Sequence, residues 1–514
     1  MLAASGGPAH GDRMLRALIK IGKWTSIVAL VFLVSLLGIR AWDSQQGDPL
    51  APWQTFVPDE LTPSQLDATD WTGYLAAEQH AFDQVKTEVT DKLEPSERVA
   101  TNRYFQGAPM YPGHFAHDWN RSYVLEPTGT PVGAVVLIHG LTDSPYSLRD
   151  IAELYRAHGF VAIGLRVPGH GTVPASLTRV DWPDWLAATR LAMREARRRV
   201  GPDLPIHMVG YSNGGALAVK YTLDACEHHE LTMPTRLVLL SPMIGVTRFA
   251  RFAGLAGLPA LLPRFAKAAW LDLLPEYNPY KYNSFPVNAA RQSYLLTDAI
   301  RSQVLRMARG KQLSRLPPIL TFQSVVDDTV SASAVMRTLY AHLPANGSEV
   351  VLFDVNRDHR FDTLLKPASL MALNRMLPSG PQSYRATVVS NTAENDDHTV
   401  ARTTEAGQTT ATATPLPIRY PDNIFSLSHI ALPFPPNDPL YGTEPDMSED
   451  YGIRLGTAAP RGERGALILN LDAVLRISSN PFYPYVRQRI EALLPAIPTP
   501  PPTRTNAPVA HIAG

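Results

Sequence analysis

The chain is short of cysteine and of net charge. Cys226 is the single cysteine among 514 residues, so no intrachain disulfide can form, and cysteine usage does not indicate the redox state of the compartment. Lys and Arg number 47, as do Asp and Glu, and no basic stripe carries interleaved aromatic residues. These absences argue against a nucleic-acid partner.

Motifs for cofactors and metal ions are also lacking. The sequence contains no glycine-rich phosphate loop of the nucleotide-binding type. Two histidine pairs without a convincing third ligand are present, His114 with His117 and His228 with His229. A zinc site is therefore not predicted, and we expect neither a cofactor nor a metal ion. No internal repeat divides the chain, whose length suits one large α/β domain with insertions.

One long apolar run is present, and it lies near the N-terminus over residues 24–39. Its length, about 16 residues, is at the short edge for a membrane span, and extension past Arg40 to Trp42 brings it closer to one. Four basic residues precede the run: Arg13, Arg16, Lys20 and Lys23. This excess predicts a cytoplasmic N-terminus over 1–23 and the bulk of the chain outside the membrane.

The apolar run predicts an uncleaved signal anchor over residues 24–42. Neither a small-x-small cleavage site nor a lipobox cysteine follows it, which disfavours a cleaved signal peptide. A helix lying on the membrane surface is the alternative. In a bacterium, the anchor implies the inner membrane and a periplasmic location for the rest of the chain. Residues 43–121 are expected to form a proline-rich tether, up to residue 69, and an extension whose helix over 71–93 packs outside the core.

A Gly-x-Ser-x-Gly motif is the most informative feature of the chain. Gly210, Ser212 and Gly214 form it, directly after the apolar run 205–209 and before a helical pattern over 216–223. A strand-to-helix turn of this kind holds a serine on strained backbone, and its glycines remove side chains that would clash. The helix N-terminus behind the serine favours developing negative charge. The motif predicts a nucleophilic serine, with a solvated turn as the alternative.

Two further motifs precede the serine, each after a strand-like apolar run. Residues 139–144 read His-Gly-Leu-Thr-Asp-Ser after the run 134–138, and residues 166–171 read Arg-Val-Pro-Gly-His-Gly. In this order, and with the serine motif, they resemble the monoglyceride-lipase-like branch of the serine α/β-hydrolases. The resemblance covers roughly residues 122–361. It implies an α/β-hydrolase fold, a mostly parallel sheet with helices on both faces and a helical cap insertion.

The alternation of strand and helix patterns supports the same division of the chain. The core is expected over 122–242 and 311–390. The resemblance places a helical cap over 243–310, where many apolar residues would suit an acyl-chain substrate, although helices packing on the core are the alternative. The remaining expectations, in chain order, are a low-complexity loop over 391–415, a C-terminal segment with His429 over 416–495 and a disordered tail over 496–514.

An oxyanion hole is expected beside the serine. In α/β-hydrolases one backbone N–H comes from the loop after an early strand and the other from the residue after the nucleophile. Those N–H groups would belong to Leu141 and Asn213 here. His139 and His170 are expected to have structural roles in orienting the neighbouring loops.

A nucleophilic serine needs a base, and the base needs a carboxylate that orients it. Asp327 follows the strong strand pattern 318–326, at the carboxyl end where open α/β sheets place their sites. The spacing Asp-x-x-Val, which ends at Val330, is similar to the acid turn of the resembled family. Asp328 is the second choice, and a solvated turn is the alternative for both.

Two histidines after the acid are candidates for the base. His359 follows the strand pattern 349–355 at the spacing usual for the resembled family, but four charged neighbours surround it, which would make a neutral, oriented imidazole hard to maintain. His429 lies in an apolar segment bounded by prolines, which can pack and hold an imidazole. Its block, Ser-Leu-Ser-His-Ile-Ala-Leu-Pro-Phe, also resembles a membrane-anchored bacterial subgroup of these hydrolases. We favour His429 and keep His359 as the alternative.

These residues predict a membrane-anchored serine hydrolase that cleaves carboxylic esters with an apolar acyl group. Ser212 would attack the carbonyl and His429 would take its proton, while Asp327 orients the imidazole and water later releases the acyl group. The same triad would serve a thioesterase, an amidase or an acyltransferase. An inactive periplasmic scaffold that kept the fold is the alternative outside the enzymes. The expected partners are a small-molecule or lipid ester and the membrane.

Overall fold

A ten-stranded sheet forms the centre of the protein. The computed structural model describes residues 9–245, 257–358, 364–457 and 475–497. The strands of this sheet are β1 (Tyr123–Leu125), β2 (Gly133–Ile138), β3 (Phe160–Leu165), β4 (Ile206–Tyr211), β5 (Arg236–Leu240), β8 (Ile319–Ser324), β9 (Glu349–Phe353), β10 (Arg385–Asn391), β11 (His398–Thr404) and β12 (Ala411–Arg419). Two short strands, β6 (Trp270–Asp272) and β7 (Phe285–Pro286), pair separately.

The strand order is β1-β3-β2-β4-β5-β8-β9-β10-β11-β12. The seven strands from β3 to β10 run parallel to one another, whereas β1, β11 and β12 pair antiparallel with their neighbours. Every residue of β2, β3, β4 and β8 is buried, because parallel strands have both faces covered, and the sequences of β2 and β3 are continuously apolar as a result. The predicted α/β class with a mostly parallel sheet is confirmed.

Helices flank the sheet and follow most of its parallel strands. The α-helices are α1 (Ala9–Asp43), α2 (Pro52–Thr55), α3 (Pro63–Ala68), α4 (Trp71–Glu88), α5 (Arg149–Ala157), α6 (Trp182–Val200), α7 (Asn213–Glu227), α8 (Val287–Arg309), α9 (Ala332–Ala334), α10 (Pro367–Leu370), α11 (Ala372–Met376) and α12 (Tyr483–Glu491). A π-helical turn, Val335–Leu339, continues α9. The 3₁₀ turns are Thr90–Lys92, Pro95–Glu97, Pro112–His114, Pro145–Leu148, Pro174–Thr178, Leu258–Leu261, Pro263–Ala269, Gln312–Arg315 and Tyr340–His342.

The two faces of the sheet carry separate apolar cores. Alternate strand residues point to opposite faces, so Val136 packs with α6, α7 and α8, while its neighbour Val135 packs with α5 and α12. The second core also contains Leu427 and Leu432 from the C-terminal segment. This segment is therefore an integral part of the central domain rather than an appendage.

The first part of the chain is more closely packed than the sequence predicted. Residues up to 69 were expected to form a tether, but Glu60 accepts hydrogen bonds from the buried Arg166 and from the backbone N–H of Gly169. The helix α4 was expected outside the core, but its Tyr74 is buried among core residues. Its buried Glu78 also pairs with Arg166, with 3.0 Å between Oε2 and Nε. The sequence pattern missed this packing because the contacts join residues about 90 positions apart.

Two expected segments differ in the structure. The low-complexity loop over 391–415 was wrong, because β11 and β12 form a hairpin on the sheet edge, and β-branched Thr suits a half-exposed strand. In the expected helical cap, residues 257–286 form short turns and the β6–β7 pair, and α8 packs on the core against α7. Residues 246–256 of the cap and 498–514 of the expected tail lie outside the described residues.

Among the residues that the structure describes, one helix is long and apolar enough to cross a membrane. Within α1, the 28-residue segment Arg16–Asp43 has a mean hydropathy of 2.0 in its most apolar window, and none of that window is buried inside the protein. A helix that is apolar all round and uncovered by protein needs a different apolar environment. Length and composition therefore make α1 compatible with the expected signal anchor.

Candidate active site

Ser212 occupies a strained turn between β4 and α7. Its backbone has φ of 52° and ψ of −114°, a combination rare for a residue with a side chain. Two backbone hydrogen bonds hold the turn: the Ser212 N–H donates to the Leu240 carbonyl at 3.0 Å, and the Ser212 carbonyl accepts from Met243 at 2.9 Å. The turn also requires glycine, because a Cβ on Gly214 would lie 1.9 Å from the Ile138 carbonyl oxygen. The side chain of Ser212 thus leaves the turn at the carboxyl edge of the sheet.

The loop after β2 lies directly against this serine. A Cβ built on Gly140 would be 3.3 Å from the Cβ of Ser212, so only glycine permits this approach without displacement. The next residue is Leu141, and Thr142 follows with φ of 63°. Asn213 is the first residue of α7, so its N–H has no acceptor within the helix. Both backbone segments expected to form an oxyanion hole therefore border Ser212.

His139 holds the loop after β2 in position. Its Nε2 accepts from the Val167 N–H at 3.0 Å, so Nδ1 carries the proton and donates to the Gly140 carbonyl at 2.8 Å. Burial lowers the pKa of His139 well below its ordinary value, which keeps the imidazole neutral. Burial likewise lowers the pKa of His170 to about 4, and its Nδ1 lies 3.1 Å from the Pro168 carbonyl. These contacts are the structural roles expected of both histidines.

Asp327 follows β8 and is fully enclosed at its side chain. One carboxylate oxygen accepts from the backbone N–H groups of Thr329 and Val330, at 2.9 and 3.0 Å. The other accepts from the Gln323 amide at 2.9 Å and lies 2.9 Å from Nδ1 of His429. Burial alone would raise the pKa of Asp327, but His429 and these hydrogen bonds outweigh it, and the pKa is lowered. A solvated turn is therefore wrong for Asp327.

The neighbouring Asp328, the second choice for the acid, is exposed. Its side chain makes none of the contacts described for Asp327. The structure thus separates the two adjacent carboxylates by environment, because one faces the sheet edge and the other faces solvent.

His429 reaches Asp327 from the C-terminal segment. Its side chain is buried, and its ring lies 5.3 Å from the ring of Tyr211, measured between centroids. The segment is tied to the sheet edge because Ser324 Oγ donates to the Leu427 carbonyl at 2.9 Å. Ser428 Oγ also donates to the carbonyl of Ile477. The alternative base, His359, lies outside the described residues.

A buried ion pair attaches the C-terminal segment to the other side of the site. Asp438 accepts from Arg149 at 2.8 Å and from the Tyr146 hydroxyl at 2.9 Å. It also accepts from the backbone N–H groups of Leu440 and Tyr441, so both of its carboxylate oxygens have donors. Sequence reasoning missed this pair, because 289 positions separate Arg149 from Asp438 and no local pattern links them.

Two further charged groups, in and beside the loop after β2, were missed by sequence reasoning. Asp143, in the loop after β2, is buried, and burial raises its pKa to about 6 despite the attraction of Lys281. Burial lowers the pKa of Lys281 in turn. The His-Gly-Leu-Thr-Asp-Ser motif contains Asp143, so the motif marked the loop without revealing that this carboxyl is enclosed.

A possible metal-ligand grouping lies away from these residues in sequence. Within the parts of the chain that the structure describes, Asp396, Asp397 and His398 bring their ligand atoms within 4.8 Å of one another at the start of β11. Arg419 already pairs with Asp397 at 2.8 Å. Exposed acidic groups of this kind are common without an ion, so the grouping supports no metal site.

Comparison with known proteins agrees with this architecture. Residues 129–355 match the Hydrolase_4 family model, described as serine aminopeptidase, S33. The chain is 31% identical over 163 residues to a thermostable monoacylglycerol lipase of Bacillus sp. (strain H-257), covering 32% of this chain and 60% of that one. It is 24% identical over 117 residues to phospholipase YtpA of Bacillus subtilis (strain 168), covering 23% and 42%. The chain thus spans less than two thirds of the length of these relatives.

Solved structures of similar proteins include monoacylglycerol lipases. A soluble variant of monoglyceride lipase from Saccharomyces cerevisiae shares 14% identity and a TM-score of 0.36, covering 45% of this chain and 81% of that one. The monoacylglycerol lipase of Paleococcus ferrophilus shares 18% identity and a TM-score of 0.32, covering 45% and 88%. The match over 129–355 and the sheet built by those residues confirm the resemblance seen in the motifs: this part of the chain matches a serine α/β-hydrolase family model and is similar to the monoglyceride-lipase branch.

Proposed function

We propose that the protein is a membrane-anchored serine hydrolase that cleaves carboxylic esters with an apolar acyl group. The observation that carries this proposal is the 2.9 Å contact between Asp327 Oδ2 and His429 Nδ1, at the sheet edge where Ser212 leaves its turn. A buried carboxylate on an imidazole beside an activated serine is the arrangement that acyl transfer requires.

Asp327 sets the tautomer of the proposed base. Its lowered pKa keeps it ionised at neutral pH, and an ionised carboxylate can only accept hydrogen bonds. Nδ1 of His429 must then carry the proton, which leaves Nε2 with a free electron pair. That nitrogen takes the Ser212 hydroxyl proton as Oγ attacks the ester carbonyl, and it then gives the proton to the departing alcohol. Water then attacks the acyl-enzyme: Nε2 of His429 takes a proton from the water and gives it to Ser212 Oγ as the acyl group leaves.

The oxyanion formed on the carbonyl needs fixed donors. We assign these to the backbone N–H groups of Leu141 and Asn213, which border Ser212 on opposite sides. The neutral His139 supports this assignment, because it fixes the carbonyl of Gly140 and with it the direction of the next peptide. An ester substrate with an acyl chain is supported by the relative named as a monoacylglycerol lipase.

The anchor part of the proposal rests on α1. Trp24 and Trp42 are both well exposed and 18 positions apart, which is about 27 Å along a helix and close to the thickness of a bilayer's hydrocarbon core. Aromatic residues at both ends of an apolar span favour the two membrane interfaces, and the basic residues before Trp24 favour the cytoplasm. The catalytic domain would then lie outside, in the periplasm of a bacterium.

A fluorophosphonate probe tests the catalytic part on the full chain in detergent. We expect labelling of the wild type and of His359→Ala, and none of Ser212→Ala or His429→Ala. His359→Ala is the matched control, because it removes the alternative base. Labelling that survives in His429→Ala and disappears in His359→Ala would assign the base to His359. A folded wild type without labelling would favour the inactive scaffold.

A further inference from the structure

The last turn of α1 is bonded to the segment that follows β5. The guanidinium of Arg40 donates to the Trp270 carbonyl at 2.7 Å, through Nη2. Arg40 is also the first charged residue after the apolar run, so it marks the outer end of the proposed membrane span. The backbone around Trp270 is therefore held at the level where the membrane would end.

Further contacts join the same two elements on the outer side of Arg40. The Gln45 amide donates to the Arg264 carbonyl at 2.6 Å. The Lys267 ammonium donates to the carbonyls of Gln46 and Gly47, at 2.6 and 3.0 Å. Because Arg40 and residues 45–47 contact residues 264–270 at several points, these contacts fix the orientation of that segment as well as its position. The end of α1 and residues 258–270 thus form one unit.

This unit presents apolar side chains that the rest of the described protein leaves largely exposed. We call Leu258, Leu261 and Leu262 the leucine patch; their exposed fractions are 40%, 80% and 60%. Three leucines exposed within five residues form a contiguous apolar surface, which in soluble proteins marks an interaction site. Two basic residues, Arg264 and Lys267, follow the patch directly. Apolar and basic residues side by side are typical of surfaces that sit in a lipid headgroup layer.

We propose that the leucine patch inserts into the outer leaflet of the bilayer that α1 spans, an inference that rests on the proposed anchor. The bilayer is the partner that the patch would contact, because the patch is fixed beside the point where α1 leaves the bilayer. The same segment leads to the site: residues 270–286 continue from it, and the Tyr282 N–H donates to the Thr142 carbonyl at 2.7 Å in the loop beside Ser212. The membrane contact and the oxyanion loop therefore share one connected segment, which favours esters that reside in the bilayer.

Site-specific fluorescence quenching in vesicles tests the proposal on the full chain. Every labelled variant also carries Cys226→Ala. Cys226 is the single cysteine of the chain, so its removal leaves only the introduced cysteine to react with bimane. The thiol of Cys226 is buried, and burial raises its pKa to about 11. Single cysteines at 261, 39 and 447 carry bimane, in vesicles of phosphatidylethanolamine and phosphatidylglycerol with a shallow doxyl lipid. Ile39, in α1, reports the anchor, and Met447, 65% exposed in the C-terminal segment, reports a site outside the membrane.

We expect quenching of Leu261→Cys within about twofold of that of Ile39→Cys, and little quenching of Met447→Cys. Quenching at 39 without quenching at 261 would overturn the leucine patch and leave the anchor standing. Lack of quenching at 39 would overturn the anchor and the patch together. Equal quenching at all three sites would indicate general adsorption and would also overturn the patch.

An activity measurement gives an independent readout. The double variant Leu261→Ser/Leu262→Ser changes exposed side chains only and should fold normally. We expect it to hydrolyse a water-soluble short-chain ester at the wild-type rate, and a long-chain ester embedded in vesicles roughly tenfold more slowly. Met447→Ser is the matched control for loss of an exposed apolar side chain. Equal losses on both substrates would show that the double variant damages the site rather than membrane contact.

Discussion

Backbone strain is concentrated at the residues around Ser212. Of the five non-glycine residues with positive φ that the structure describes, three lie here: Thr142 at 63°, Ser212 at 52° and Ser241 at 40°. They follow β2, β4 and β5, which are neighbours in the sheet. Each such residue costs about 1–3 kcal/mol, so the surrounding packing must hold it. Strain at three adjacent strand ends indicates that the edge is shaped for function rather than for stability.

Asp327 and Asp328 provide a matched pair of residues for a test of the triad. Asp327→Asn should slow fluorophosphonate labelling and ester hydrolysis by about 10⁴-fold, because the amide would favour the wrong tautomer of His429. Asp328→Asn should leave both rates unchanged, since that side chain is exposed. The two variants are compared by kcat and by thermal melting. Equal rates in both variants, with folding intact, would remove Asp327 from the mechanism.

A second residue-scale prediction concerns stability in acid. Burial lowers the pKa of His207 to about 4, from an ordinary value of 6.5. Between pH 6.5 and 4 the unfolded chain therefore binds a proton at His207 that the folded chain does not bind. The stability that the neutral His207 contributes is present above pH 6.5 and is lost as the pH falls towards 4. A shift of this size corresponds to about 3 kcal/mol. His207→Gln should flatten the fall in melting temperature between pH 6.5 and 4.5, while the exposed His228→Gln should follow the wild type.

At the scale of the element, sequence predicted the buried strands of the sheet and missed its exposed edge. The strands β2, β3, β4 and β8 were found because each lies in a short, mainly apolar run that is buried on both faces. By contrast, β12 is mostly exposed and rich in Thr and Ala, so it read as a low-complexity loop. Its strand character comes from pairing with β11, a contact that no local pattern reveals.

A buried ion pair is one of the contacts that attach the C-terminal segment. Asp438→Asn would remove the closer of the two carboxylates that pair with the buried Arg149, leaving only Asp150 at 3.6 Å, and breaking a buried pair costs about 3–5 kcal/mol. We expect a lower melting temperature and slower fluorophosphonate labelling, because His429 belongs to the same segment. The double variant Arg149→Met/Asp438→Asn should recover only part of the stability, since it removes the buried guanidinium but takes this partner away from Asp150. A single variant that melts and labels like the wild type would show that other contacts hold the segment.

At the scale of the whole molecule, the site joins parts of the chain that lie far apart. Ser212 and Asp327 fall within the family match over 129–355, and their positions followed from motifs and strand ends. His429 lies beyond that match, and 102 positions separate it from Asp327. Sequence left two histidines open because the choice depends on how the C-terminal segment folds back over the sheet. That path is set by packing of apolar residues such as Leu427 and Leu432, which is a property of the whole fold.

This long-range assembly predicts that the chain can be cut and remain active. Residues 405–410 form the exposed turn between β11 and β12, where a site for a sequence-specific protease can be inserted. The cut chain should stay associated and label with fluorophosphonate, because strand pairing, the Asp438–Arg149 pair and the second apolar core hold the C-terminal part. The chain produced as residues 1–408 alone should not label, since it lacks His429. Labelling of that shorter chain would show that its own residues supply the base, and His359 would then be the first histidine to test.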